Sequence, residues 1–186
     1  MSMPAAIGVA RLARFRAEGL ASFDASPGGL LNALAPWLAF ALVGFLLMLV
    51  GGEAGTALAD LLITLVWLLT PVVLSEALAS FWGRREAWLR YAVAFTWCQW
   101  IMPPVFVLAM LASGMLVAAG VSEDIAELIG ALALLAYALS LHYFIARHAL
   151  SLSRWRAVVF VAIVNLGTGA LVTVPVLVHG ALEGGG

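Results

Sequence analysis

Charge is scarce in this sequence, and cysteine is nearly absent. Only 10% of the 186 residues are charged, whereas 65% are hydrophobic, and the mean hydropathy is +1.10. A soluble domain cannot hide so much apolar surface from water, so the composition predicts an integral membrane protein. The single cysteine, Cys98, excludes an internal disulfide and a zinc site built from cysteines. The formal net charge of −1 argues against a nucleic-acid partner, because a cationic face is what releases phosphate counterions.

Enzyme signatures are also missing. The sequence contains no H-E-x-x-H, no phosphate-binding loop, no G-x-S-x-G and no paired acidic residues inside an apolar run. His142 and His148 are six residues apart, which points them to different faces of a helix. We therefore expect no catalytic residue, no metal site and no cofactor, and we expect that the chain is not an enzyme.

Long apolar runs dominate the sequence instead. A helix needs about twenty apolar residues to cross roughly 30 Å of hydrocarbon at 1.5 Å per residue. Four runs have this length, at about 29–50, 57–82, 124–147 and 154–178. A longer run at 88–119 contains two adjacent prolines. The pattern predicts an all-α polytopic protein with a leader at 1–28 and a single transmembrane domain at 29–186.

The run at 88–119 is too long for one straight span and too short for two. Two spans separated at "IMPP" would have about fifteen residues each, which cannot cross the bilayer. Pro103 and Pro104 lack an N–H and clash with the preceding turn, so they should release the carbonyls of Gln99 and Trp100. We therefore predict one crossing, kinked at Pro103–Pro104, and a bundle of five transmembrane helices in all.

The basic residues are all arginine, and they lie on alternate connections. They are Arg11, Arg14, Arg16, Arg84, Arg85, Arg90, Arg147, Arg154 and Arg156. The remaining connections and the tail carry Glu53, Glu123, Asp124, Glu127 and Glu183, without arginine. Short arginine-bearing loops stay in the cytoplasm. We expect a multi-pass protein of the cell inner membrane with a cytoplasmic N-terminus and a periplasmic C-terminus, which requires an odd number of crossings.

The leader has its own pattern. On a helical wheel an apolar face opposes a charged one, the first formed by Val9, Leu12, Ala13 and Leu20, the second by Arg11, Arg14 and Glu18. This predicts a short amphipathic helix on the cytoplasmic surface, where arginine meets anionic lipid. A solvated leader is the alternative, because the apolar face is narrow. Ser26 and Pro27 predict the N-cap and first position of the next helix.

Four polar side chains fall inside the predicted spans at similar depth: Glu76, Gln99, His142 and Asn165. Counted from the nearest arginine, they lie about 7–14 Å into the membrane. Polar groups are costly there and usually face the bundle interior, so the four predict a binding layer in which His142 could pair with Glu76. Such a layer could relay a proton, bind a cation or fasten the bundle. A set of interhelical hydrogen bonds without a ligand is the alternative.

The boundary phrases FDASPGG (23–29), RYAVAFTW (90–97) and LHYFIARHAL (141–150) carry a resemblance. With five spans in a chain of this length, they resemble the small uncharacterised inner-membrane proteins of proteobacteria and, more distantly, the Yip family of five-span membrane proteins. The Yip signature DLYGP and the long N-terminal domain of that family are absent, so no functional residue is carried over. The resemblance implies a compact helical bundle that organises membrane or partner proteins.

These patterns favour a non-catalytic membrane scaffold or accessory subunit. Its expected partners are the lipid bilayer, other membrane proteins or a second copy of the chain, and no nucleic acid. The alternative function is a small transporter or channel with the polar layer around Glu76 at its centre.

Overall fold

The computed structural model describes residues 3–52 and 54–183, and helices form almost all of this part of the chain. Short 3₁₀ segments at Ala17–Ser22 and Gln99–Ile101 accompany the α-helices. The α-helices are α1 (Met3–Leu12), α2 (Pro27–Val50), α3 (Ala54–Phe81), α4 (Arg85–Cys98), α5 (Met102–Ala118), α6 (Glu123–Ala149) and α7 (Arg154–Glu183). The predicted all-α class is confirmed.

Within the described residues, five helical stretches are long and apolar enough to cross a membrane. They are Pro27–Val50, Gly55–Phe81, Arg85–Ala118, Glu123–Ala149 and Arg154–Thr173. The predicted polytopic bundle of five spanning helices is therefore confirmed. Helix α4 begins at Arg85, ahead of the apolar run, because arginine and glutamate are good helix formers and the helix dipole favours Glu86 in the first turn.

The third span confirms a single interrupted crossing. Helices α4 and α5 follow each other as one stretch of 34 residues, interrupted by the 3₁₀ segment just before the two prolines. Helix α5 then begins with Pro103 in its first turn, where a missing N–H costs nothing. The Met102 N–H donates to the Gln99 carbonyl, so the expectation that this carbonyl is released is wrong. A tighter turn recovers the hydrogen bond that the prolines remove.

The leader folds back onto the bundle. Its predicted apolar side chains Val9, Leu12 and Leu20 are buried, and protein rather than lipid covers them. The Tyr137 hydroxyl of α6 donates to the Ala13 carbonyl at 3.0 Å, and the ring of Phe15 packs edge-on against the rings of α6. The predicted start of α2 is confirmed, because the Ser26 hydroxyl accepts the Gly29 N–H at 3.0 Å.

Packing divides the bundle into two halves. The arginine half comprises the leader, α4, the last turns of α3 and α6, and the first turns of α7. It contains the largest fully buried side chains of the described chain, which are Tyr91, Phe160, Leu12, Ile145, Leu150, Val93, Val164 and Ser75. The open half comprises the last turns of α2, the first turns of α3 and α6, and α5. Among the described residues, α5 has no buried side chain and packs extensively only against α6.

Polar contacts reinforce the arginine half. The guanidinium of Arg90 donates through Nε and Nη2 to the Ala149 carbonyl at 3.1 and 2.5 Å, which satisfies an end carbonyl of α6. The indole of Trp88 donates to the Ser75 hydroxyl at 3.0 Å and joins α4 to α3. Arg90 and Trp88 therefore hold helices of this half together.

Candidate functional site

His142 lies at the centre of a polar cluster that joins three helices. It is 5% exposed on α6, its Nε2 lies 2.7 Å from the Tyr91 hydroxyl of α4, and its Nδ1 lies 2.9 Å from Asn165 Nδ2 of α7. Asn165 Nδ2 also donates to the Val161 carbonyl at 2.8 Å, which identifies it as the amide nitrogen. Because that nitrogen only donates, Nδ1 must accept, and the proton of the neutral imidazole lies on Nε2.

This arrangement decides what His142 can do. Both ring nitrogens are occupied, and the ring is packed against Phe95 with centroids 4.5 Å apart. A nitrogen that already donates or accepts a hydrogen bond in a packed core is not free to bind a cation. Of the roles predicted for the polar layer, the geometry supports fastening α4, α6 and α7 to each other.

Glu76 lies apart from this cluster, which corrects its predicted place at the centre of the layer. Its Oε1 lies 3.1 Å from Arg85 Nε and accepts the Ser80 hydroxyl at 3.0 Å. Its side chain is 35% exposed and that of Arg85 is 79% exposed. The predicted pairing with His142 is not found among the described residues. Depth counted along the sequence missed that α3 ends at Phe81, so that the next helix brings an arginine back to Glu76.

Gln99 lies where three cavities meet. It belongs to the 3₁₀ interruption and lines cavities of about 130, 470 and 570 Å³. The smallest also touches His142 and Asn165, and the largest opens between α2 and the α5–α6 pair. The side chain of Gln99 is half-buried, and its amide makes no hydrogen bond to any described residue. The structure thus brings Gln99, His142 and Asn165 together around one cavity and leaves Glu76 outside its lining.

The cavity of about 470 Å³ has aromatic walls, and we call it the aromatic cavity. It lies between α2, α3, α4 and α7, and its lining includes Trp37, Trp67, Phe95, Gln99 and Asn165. Three threonines complete its polar lining, Thr64, Thr96 and Thr168, and each donates its hydroxyl to the carbonyl four residues earlier at 2.7–2.8 Å. Their oxygens are left as acceptors. This volume and this mixture of apolar walls with a few polar groups are typical of ligand pockets.

Two indole N–H groups nearby are buried without a partner in the part of the chain that the structure describes. They belong to Trp37 and Trp100, whose rings lie 4.6 Å apart. Trp37 lines the aromatic cavity, whereas Trp100 does not. A buried donor without an acceptor is costly in hydrocarbon, where no water replaces the missing bond.

Sequence reasoning missed Tyr91 and Trp37. One usable signal was the spacing of Tyr91, Phe95 and Gln99, because residues four apart share one face of a helix. Trp37 gave no such signal, since an isolated tryptophan in an apolar run is also typical of the membrane interface.

In comparisons with known proteins, no protein-family model, no curated protein and no solved structure matches the chain.

Proposed function

We propose that this chain is a non-catalytic scaffold or accessory subunit of a membrane, and that its open half binds an apolar helix of a partner. The observation that carries the proposal is α5. Among the described elements it packs extensively only against α6, and large apolar side chains such as Leu108, Met110 and Met115 are 61–70% exposed on it. The arginine half, by contrast, is filled by its own side chains, which makes it a rigid base.

A groove of small residues follows the α5–α6 pair. The cavity of about 420 Å³ there is lined in part by Ala109, Ser113, Gly114, Gly130 and Ala131. Small residues let two helix backbones approach closely, which is how helices associate in lipid. Ser113 and Gly130 permit such a close approach where α5 contacts α6. The Ser113 hydroxyl also donates to the Ala126 carbonyl at 2.9 Å. An added Cβ on Gly114 would meet no described atom within 4 Å, so that glycine leaves space for another helix.

Negative charge in the groove restricts the kind of helix that can bind there. Glu123 and Glu127 line the same cavity as the small residues. Opposite charges across an interface steer association and fix register. The groove therefore fits a transmembrane helix with small residues on one face and a basic residue near the end that meets these carboxylates.

Photo-crosslinking in native membranes tests this proposal. A photoreactive residue replaces Met110 in the groove or, as the control, Phe40 on α2, and the two side chains are 61% and 63% exposed. We expect a discrete protein adduct from position 110 only. Gly114→Leu should remove the adduct by filling the groove, and Gly44→Leu, where an added Cβ also meets no described atom within 4 Å, should not. Lipid adducts alone at both positions would contradict the proposal, and an adduct of twice the chain mass would identify the partner as a second copy.

Transport is the second candidate function. The meeting of three cavities at Gln99 favours it, because polar groups in the middle of a bundle mark solute paths. The packing of Tyr91, Phe160 and Ile145 across the arginine half counts against a path through one copy. Proton flux into liposomes separates the candidates: a transporter loses its flux in Gln99→Leu and retains it in Glu76→Gln, whereas a scaffold shows no flux above that of empty liposomes.

We also infer that the arginine end of the bundle faces the cytoplasm of a bacterial inner membrane. Support comes from the arginines, which all lie on the leader, the α3–α4 connection and the α6–α7 connection or beside them. Two exposed serines at helix starts provide a matched test, Ser153 before α7 and Ser122 before α6. In a Cys98→Ala background, a membrane-impermeant thiol reagent added outside intact cells should label Ser122→Cys and spare Ser153→Cys. The reverse pattern, or labelling of both, would overturn the orientation.

A further inference from the structure

The aromatic cavity presents hydrogen-bonding groups that the described part of the chain does not use. Gln99 has a free amide, and the indole N–H of Trp37 is buried without a partner. Asn165 donates its amide hydrogens to Val161 and His142, which leaves its Oδ1 as an acceptor. Each unpaired amide or indole group inside hydrocarbon costs several kcal/mol, because lipid tails offer no replacement. The cavity therefore offers hydrogen bonds to an occupant that carries polar atoms.

Depth restricts that occupant. Gln99 lies about 13–14 Å along α4 from Arg90, at a rise of 1.5 Å per residue, and hence near the middle of a hydrocarbon core of about 30 Å. The oxygens of phospholipid headgroups lie at the interface, one half-thickness away. A molecule whose oxygens reach Gln99 must dissolve in the core itself.

The walls restrict it further. Trp37, Trp67 and Phe95 offer flat apolar faces, and no charged side chain is among the described residues that line the cavity. Flat rings stack on such faces, and a neutral molecule avoids the cost of bringing a charge to this depth. The free groups include two donors, on Gln99 and Trp37, which match carbonyl oxygens.

We propose that the aromatic cavity binds a neutral, lipid-soluble ring compound with carbonyl oxygens, of the quinone class. The ring lies between the aromatic walls, one carbonyl oxygen accepts from the Gln99 amide, and the other accepts from the Trp37 indole once that buried N–H turns toward the cavity. Its tail leaves toward the lipid past Thr64 and Trp67, the lining residues that are exposed on the outer surface of the bundle. No electron transfer is part of the proposal. This site is independent of the partner groove, which is lined by α5 and α6.

Two probes with the same tail test the recognition of carbonyl groups. The purified full-length chain in detergent is titrated with a decyl-substituted benzoquinone or with decylbenzene, and native mass spectrometry counts the molecules retained. We expect the quinone to bind at least tenfold more tightly, as the gain of one or two hydrogen bonds in an apolar site predicts. Equal binding of the two probes, or no quinone binding, would overturn the proposal. Displacement of the quinone by an equal amount of phospholipid would also overturn it.

The stacked tryptophans supply a matched pair of variants. Trp37→Phe keeps a ring in the cavity and removes its N–H, and Trp100→Phe makes the same change next to it but outside the cavity lining. We expect Trp37→Phe and Gln99→Leu each to weaken quinone binding about tenfold and to leave decylbenzene unchanged. Trp100→Phe should bind both probes as the unaltered chain does. Equal loss in Trp37→Phe and Trp100→Phe would refute the assignment, even if Gln99→Leu fails to fold.

Failure of this site and failure of the scaffold proposal can be told apart. Quinone binding is measured on the isolated chain, and the crosslink at position 110 is measured in native membranes. Loss of one result leaves the other unchanged.

Discussion

The arginine half and the open half of this bundle share long membrane-spanning stretches but differ in internal support. In the arginine half, α4 packs against the leader, α2, α3 and α6, and Tyr91, Val93 and Ala94 on it are at most 1% exposed. In the open half, α5 continues the same crossing, and Val107, Leu108 and Met115 on it are 53–70% exposed. Hydrophobicity alone therefore places a helix in the membrane, and side-chain contacts with other helices decide whether it belongs to a rigid core.

The largest expected effect comes from emptying the core of the arginine half. Phe160 is fully buried, and its ring packs edge-on against Tyr91 with centroids 5.1 Å apart. We expect Phe160→Ala to lower the free energy of unfolding by about 3 kcal/mol, the lower end for such a change, because lipid already solvates apolar groups. Unfolding by sodium dodecyl sulfate in mixed micelles measures it. Phe106→Ala on α5, where the ring is 50% exposed, should cost less than about 1 kcal/mol; similar losses for the two would erase the distinction between the halves.

The next effect concerns the polar cluster. Replacing His142 by leucine leaves the Tyr91 hydroxyl and an amide hydrogen of Asn165 without partners, which should cost about 2 kcal/mol. His148 is the matched control, because its Nδ1 contacts only the Phe144 carbonyl of its own helix among the described residues. We expect His148→Leu to change stability by less than about 0.5 kcal/mol. Equal effects in the same unfolding assay would mean that the cluster does not fasten the three helices.

The third prediction concerns the leader and whether burial of its apolar face holds it against the bundle. Leu12 is 0% exposed, so Leu12→Asp would bury a carboxylate, and the leader should leave the bundle instead. Trypsin should then cut after Arg14 and Arg16 at least tenfold faster than in the unaltered chain. Ile7→Asp, at a position that is 46% exposed, should leave the rate unchanged. An unchanged rate in both variants would show that the leader is held by lipid or not held at all.

The smallest effect is expected at Glu76. Its ion pair with Arg85 is largely exposed, and exposed pairs contribute about 0–1 kcal/mol. We expect Glu76→Gln to change the free energy of unfolding by less than about 0.5 kcal/mol and to leave quinone binding as it is. A loss of unfolding free energy as large as that of His142→Leu would contradict this assignment. It would support the predicted place of Glu76 in the polar layer.

The number of crossings can be predicted from the sequence, but only part of the candidate site can. Span length and the positions of the arginines are enough to derive one interrupted crossing at 88–119, close to the 85–118 of the structure, because both reflect the cost of placing polar groups in hydrocarbon. The likeness to five-span bacterial proteins and to the Yip family stays a prediction. Of the polar layer, Gln99, His142 and Asn165 do line one cavity together, since polar groups turn away from lipid.

The failures have a common cause. Depth along a helix says nothing about which neighbour a side chain meets, and Glu76 meets Arg85 only because the turn after Phe81 reverses the chain. The leader illustrates the same limit. The sequence pattern of its apolar face would be the same whether the face met lipid or, as in the structure, α6 with Tyr137 and Phe144. Which residue a side chain contacts depends on tertiary packing, and the periodicity of a single sequence does not encode that packing.

The short 3₁₀ segment at Gln99–Ile101 has a consequence for the membrane that the protein can occupy. The crossing at 85–118 contains 34 residues, or about 51 Å of helix, against a core of about 30 Å. Helix α4 is held by its packing against the leader, α2, α3 and α6, whereas α5 packs extensively only against α6. We expect α5 to tilt further from the membrane normal in a thinner bilayer and to stand more upright in a thicker one, while the packed arginine half keeps its arrangement.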